Sequence, residues 1–109
     1  MGAGMPDCSG RNDEPVVSKV EADDEKKFVK WCEARGYQCL KLRIDGVNGF
    51  PDRTVLGPDG LVAFIEFKRH DGRVSAGQKN FLAWASLNGH AAFLAYSFEE
   101  AVRFMEWIE

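Results

Sequence analysis

The stretch that most constrains this chain runs from Asp52 to Lys68, where two strand-like segments are joined by a loop short enough to set their register. Residues 52–57 and 61–68 both read as strands, and Pro58-Asp59-Gly60 fits a three-residue hairpin loop with Gly60 in the left-handed conformation. With Gly57 opposite Leu61, counting outward pairs Leu56 with Val62, Thr54 with Phe64, and Asp52 with Glu66; directly opposed residues share a face. Two carboxylates then meet across the ladder with Cβ atoms about 5 Å apart, and Lys68, two residues past Glu66, points to the same side. A four-residue loop would instead shift the pairing by one and send Asp52 and Glu66 to opposite faces.

Opposed carboxylates repel, and a core-facing pair also loses hydration, so such a pair calls for a compensating cation. A divalent metal is the natural one. Mg²⁺ takes oxygen ligands and is usually held by one or two carboxylates together with water and substrate phosphate, a set that Asp52 and Glu66 can supply. Lys68 would lie beside the ion, where its ammonium can stabilise charge developing on a phosphate or orient an attacking water. That outlines a hydrolytic site. The plainer alternative is that Lys68 or Arg53 merely neutralises the carboxylates in an ordinary ion pair.

The flanking sequence supplies a frame. Phe28, Val29, Trp31 and Cys32 fall at helical spacing within residues 23–35, with Asp23 or Asp24 as cap and Gly36 after the last turn. Glu25 sits at positions that place it on the core-facing side of this helix. Residues 37–44 alternate with period two and read as a strand. Residues 75–87 read as a second helix, Ser75 and Gln78 forming a capping box and Phe81, Leu82, Ala85 and Leu87 an apolar side. The apolar run 91–96 reads as a buried strand, and Ser97 with Glu100 forms a second capping box that opens a last helix carrying Ala101, Val102, Phe104, Met105 and Ile108. The predicted order is αβββαβα, an α/β fold with a mixed central sheet flanked by helices.

Residues 1–20 combine Gly, Pro, Ser and charge with almost no large apolar side chain, and read as a flexible N-terminal tail, with residues 1–4 a possible cloning remnant ahead of Met5. Residues 21–109 form the single domain that 109 residues allow. Hydrophobic residues at 45% and charged residues at 28% place it among ordinary globular chains. Cys8, Cys32 and Cys39 are odd in number and lack zinc-site spacing, which suits a reducing, cytoplasmic setting. No stretch approaches the roughly 20 apolar residues of a membrane span. A net charge of −3 argues against a protein that coats DNA regardless of sequence, but not against a nuclease whose bound cations offset local acidity.

Gly49-Phe50-Pro51-Asp52-Arg53 followed by Phe64-Ile65-Glu66-Phe67-Lys68 resembles the G-x-P-D-R and E-x-K signature of VRR-NUC domains, a branch of the PD-(D/E)xK, or restriction-endonuclease-like, superfamily. Glu25 in the first helix, Lys41 after Gly36, and Ser75 with Gln78 follow the same family pattern, so the likeness extends from about Asp24 to the C-terminus. The resemblance implies a restriction-endonuclease-like αβββαβ core with an added C-terminal helix, and hydrolysis of DNA phosphodiesters with Mg²⁺ or Mn²⁺. It implies Asp52, Glu66 and the backbone carbonyl of Phe67 as metal ligands, Lys68 as the residue assisting water, and Glu25 and Gln78 completing the pocket from the two helices, Glu25 as a further candidate ligand. Stand-alone members similar to this chain are phage or bacterial, are associated with branched DNA such as four-way (Holliday) junctions, and act as homodimers, since symmetric cutting needs two sites. Neither a membrane nor a nucleotide cofactor is expected.

Several residues keep a second reading. Gln78 is accounted for by capping alone, Glu25 by solvation on a first turn, and Lys41 by either a phosphate contact or plain exposure. Arg53, Arg69, Arg73 and Lys79 are grouped as candidate DNA contacts, and His70 reads as a solvated loop residue. Trp84 and Trp107 are candidates for either an interface or the core. A non-catalytic DNA-binding or partner-docking domain on the same fold is the alternative function. A metal-independent RNA endonuclease is a poorer one, because only two histidines are present.

Overall fold

The structure is a computed structural model that describes residues 14–47, 49–68 and 76–109. Its elements run α1 (Glu14–Ala34), β1 (Gln38–Leu40), β2 (Arg53–Leu56), β3 (Val62–Phe67), α2 (Ala76–Leu87), β4 (Ala91–Ala95) and α3 (Phe98–Ile108), the predicted order. The four strands form one sheet in the order β1-β2-β3-β4, antiparallel at the first two junctions and parallel at the third. The parallel pair is connected through α2, as a crossover requires.

The hairpin forms as its loop dictates. Leu56 pairs with Val62, Thr54 with Phe64 and Arg53 with Ile65, and the Gly57 N–H donates to the Leu61 carbonyl at 2.9 Å. Inside the loop both Asp59 (φ 58°) and Gly60 (φ 77°) are left-handed, the double positive φ that a type I′ turn demands, and the Leu61 N–H donates to the Pro58 carbonyl.

Alternation along β3 sorts the core into two layers. Ala63, Ile65 and Phe67 face Phe28 and Cys32 of α1 and Ala101 and Met105 of α3, all buried. The Phe28 ring lies 5.5 Å from that of Phe67, and Phe93 stacks on Phe104 at 4.7 Å. On the other face Phe64 meets Phe50 and, on α2, Phe81 edge-on at 5.8 and 5.4 Å, and Phe50 and Phe81 lie tilted against each other at 5.1 Å. Helices therefore cover both faces of the sheet.

Three expectations need correction. First, α1 starts at Glu14, well ahead of Asp23, and takes in residues 14–20 that composition had left in the tail; residues 1–13 lie outside the described residues. Once Phe28 and Cys32 anchor the helix, each further turn toward the N-terminus adds hydrogen bonds without a new nucleation cost, and Pro15 falls in the first turn, where its missing N–H is not needed. Second, the strand expected over 37–44 pairs only at Gln38–Leu40. Its partner β2 begins at Arg53, and beyond it stands Pro51, which has no N–H to continue a ladder. Third, helical spacing puts Leu87 on the apolar side of α2, but it is 85% exposed. Ala85 faces the sheet, whereas Leu87 lies three residues on from exposed Trp84, on the outer side. The cap at Ser75 lies outside the described residues. The second capping box forms in part: Ser97 Oγ accepts from the Glu100 N–H, but the Glu100 carboxylate reaches the Tyr96 N–H, one residue earlier than the motif predicts.

Candidate active site

At one end of the hairpin the backbone ladder stops at Arg53–Ile65, and side chains take over. The Asp52 N–H donates to Glu66 Oε1 at 3.0 Å, and the Phe67 N–H donates to Asp52 Oδ2, also at 3.0 Å. Each carboxylate thus satisfies an amide of the opposite strand. The two acids are brought together as the register requires, Glu66 fully buried and Asp52 half-buried. Burial pushes the Asp52 carboxyl above its usual range and the Glu25 carboxylate adds to this, while the Phe67 N–H and the Lys41 and Lys68 ammonium groups pull it back.

Two further side chains converge on Glu66 Oε2. Gln78 Nε2, from the first turn of α2, donates to it at 2.6 Å, and Lys68 Nζ lies 3.8 Å away, three-quarters covered. Gln78 owes its place to a close crossing of backbones. Gly49 has φ +83°, and a Cβ there would fall 2.4 Å from the Gln78 nitrogen and from the Gly77 carbonyl carbon. Only glycine lets the segment leading into Asp52 lie against the start of α2 in this way.

Glu25 comes from the other layer. Its Oε2 accepts from Arg53 Nε at 2.7 Å and pairs with Lys41 Nζ at 3.6 Å. Arg53, expected to contact DNA, is therefore turned inward with its side chain 19% exposed, whereas Lys41 remains about half exposed. Lys79 is exposed on α2. Arg69, His70 and Arg73 lie outside the described residues. Trp84 and Trp107 are 58% and 82% exposed, so neither is a core residue. Sequence reasoning missed the Arg53–Glu25 pair and the Gly49–Gly77 crossing; the glycine of the G-x-P-D run was a visible signal for the second.

Among the described residues, no group of three or more His, Cys, Asp and Glu side chains is gathered as a metal cluster, and no helix is long and apolar enough to cross a membrane.

An αβββαβα frame with a buried acidic pair at the hairpin end defines a restriction-endonuclease-like α/β domain. A solved structure described as a VRR_NUC domain matches this chain with a TM-score of 0.72 at 26% identity, over 80% of this chain and 95% of the other. Neither a family model nor a curated protein matches the sequence. The chain therefore has the fold of a VRR-NUC domain, the frame its motifs implied.

Proposed function

We propose that this chain is a Mg²⁺- or Mn²⁺-dependent endonuclease that hydrolyses DNA phosphodiester bonds. The observation that carries this reading is the cross-braced pair Asp52 and Glu66, with Lys68 and Gln78 both directed at Glu66. Holding the buried Glu66 beside the half-buried Asp52 costs repulsion and lost hydration that their hydrogen bonds return only in part, and a divalent cation offsets the remainder.

The donor set fits such an ion in kind: two hard carboxylates and the Phe67 carbonyl, with water filling the remaining positions, as Mg²⁺ prefers. Bound there, the ion would lower the pKa of water and polarise a phosphoryl oxygen. In this reading Lys68 stabilises negative charge developing on the scissile phosphate, and Gln78 holds the Glu66 carboxylate in one orientation. Lys41 and Lys79, with Arg69 and Arg73, serve the flanking phosphates. Glu25 completes the pocket, adjacent to but apart from the acidic pair.

Symmetric cutting of a branched substrate such as a four-way junction needs two sites, so the acting unit in this proposal is a homodimer. Cysteines odd in number and without zinc-site spacing suit the cytoplasm of a bacterial or phage-infected cell. Incubation with labelled linear, flapped and four-way DNA, with and without Mn²⁺, tests the whole reading. The expected result is cutting that needs the ion and favours the branched substrate. DNA binding without cutting would point to the non-catalytic domain, and cutting that survives EDTA would overturn metal dependence.

A further inference from the structure

Gly36 ends α1 with φ 78°, and two hydrogen bonds turn the chain back on itself: the Gly36 N–H donates to the Glu33 carbonyl at 3.0 Å and the Tyr37 N–H to the Cys32 carbonyl at 2.9 Å. This Schellman turn returns β1 beneath the helix it has just left. Glu25, Phe28 and Cys32 share one face of α1. Two of them meet the returning segment: Glu25 pairs with Lys41 at 3.6 Å, and the Cys32 S–H donates to the sulfur of Cys39. Cys39 lies opposite buried Val55 in the ladder and packs against the core cluster that contains Cys32. Two free thiols are thus held side by side between a helix and an edge strand, Cys32 buried and Cys39 half-buried. The proposed hydrolytic site uses neither.

We propose that Cys32 and Cys39 form a reversible oxidation site, which closes to an intramolecular disulfide on reaction with small-molecule disulfides and reopens when thiols are restored. The step is thiol–disulfide exchange. The Cys39 thiolate attacks one sulfur of the small disulfide; that S–S bond breaks, one small thiolate leaves, and a mixed disulfide forms on Cys39. Cys32 then gives its proton to solvent and attacks the Cys39 sulfur, forming the protein S–S bond and expelling the second small thiolate. The chain loses two electrons and two protons, and the reagent becomes two thiols. Surroundings set this order: Cys39 is the partly exposed member, and the hydrogen bond from Cys32 draws its thiol below the ordinary range against burial, with the Arg53 charge adding to the pull. Closure has a local consequence. β1 is the shortest strand, pairs over three residues with Cys39 at their centre, and lies at the sheet edge, so a covalent tie to α1 pins that edge. In a reducing cytoplasm the pair rests as the dithiol and closes on exposure to oxidant.

The test uses the full chain carrying Cys8→Ser, which removes the third thiol, in glutathione disulfide without metal or DNA. Intact mass and peptide mapping are expected to show a chain lighter by two hydrogens, with Cys32 joined to Cys39, and dithiothreitol should return it to the dithiol. In that background Cys32→Ser should stop at one glutathione on Cys39, and Cys39→Ser should leave Cys32 unmodified while folded. The oxidised chain should melt about 5–10 °C above the reduced one, and the β1 amides should exchange more slowly. Glutathione on both cysteines without closure, disulfides only between copies, closure only in denaturant, or a dithiol that survives excess glutathione disulfide would overturn the proposal. If a serine variant does not fold, alanine at the same position replaces it, and the mass of the Cys8→Ser chain decides closure without either.

Discussion

At the scale of single residues, the site depends on which oxygen meets which donor. Glu66 is buried with one carboxylate oxygen on the Asp52 amide and the other on Gln78 and Lys68. Gln78→Ala removes an orienting hydrogen bond without touching the core. It should lower Mn²⁺-dependent cleavage by about 10–100-fold, with the thermal melt nearly unchanged. Asp24 gives a prediction in pH. Its carboxyl is raised above 3.8 mainly by burial, against the pull of the Phe98 N–H, with Glu99 raising it further. Between 3.8 and that raised value the folded chain binds more protons than the unfolded one, so this group's contribution to stability falls as pH rises through the window. Asp24→Asn keeps an acceptor for the Phe98 amide and removes the disfavoured charge. Its melting temperature at pH 7 should exceed that of wild type, and the difference should vanish below pH 3.8. Asp52, Glu66 and Lys68 were legible in the sequence because a local turn sets their relation. The partner of Arg53 was not, because Glu25 reaches it from a helix 28 positions away and only the tertiary fold brings the two together.

At the scale of elements, the hairpin decides whether there is a site at all. A one-residue slip would put Asp52 and Glu66 on opposite faces of the sheet. The loop resists this through the paired left-handed residues Asp59 and Gly60. Gly60→Val forces a β-branched side chain into positive φ and should destabilise the chain by about 1–2 kcal/mol in denaturant unfolding. Periodicity gave the order of all seven elements, since strands and helices leave different spacings of apolar residues. It overran β1, where Leu42 and Ile44 keep the alternation but are exposed beyond the ladder. Pattern records which side chains would face a core, not whether a partner strand is long enough to form one.

At the scale of the molecule, the acidic pair sits at one end of a sheet covered on both faces, and the three most exposed large apolar residues are divided between those faces. Trp84 and Leu87 lie on α2, with His90 stacked on Trp84 at 5.6 Å, and Trp107 lies on α3 across the sheet. An isologous interface uses one patch on each copy. If the chain acts as a homodimer, Trp84→Glu with Leu87→Glu and Trp107→Glu should therefore not both dissociate it. Sedimentation equilibrium on each variant should find one at the mass of a single chain and the other at twice that. Two monomers, or two unchanged dimers, would exclude these surfaces as the basis of a single closed interface.

The central claim is that Asp52 and Glu66 perform phosphodiester hydrolysis together. The most direct test is single-turnover cleavage of a labelled four-way junction in Mn²⁺ by wild type, Asp52→Asn and Glu66→Gln, each variant verified by circular dichroism to be folded. Wild type is expected to cleave and both variants to lose at least about 100-fold, with junction binding retained. Cleavage by either variant at the wild-type rate would contradict the claim.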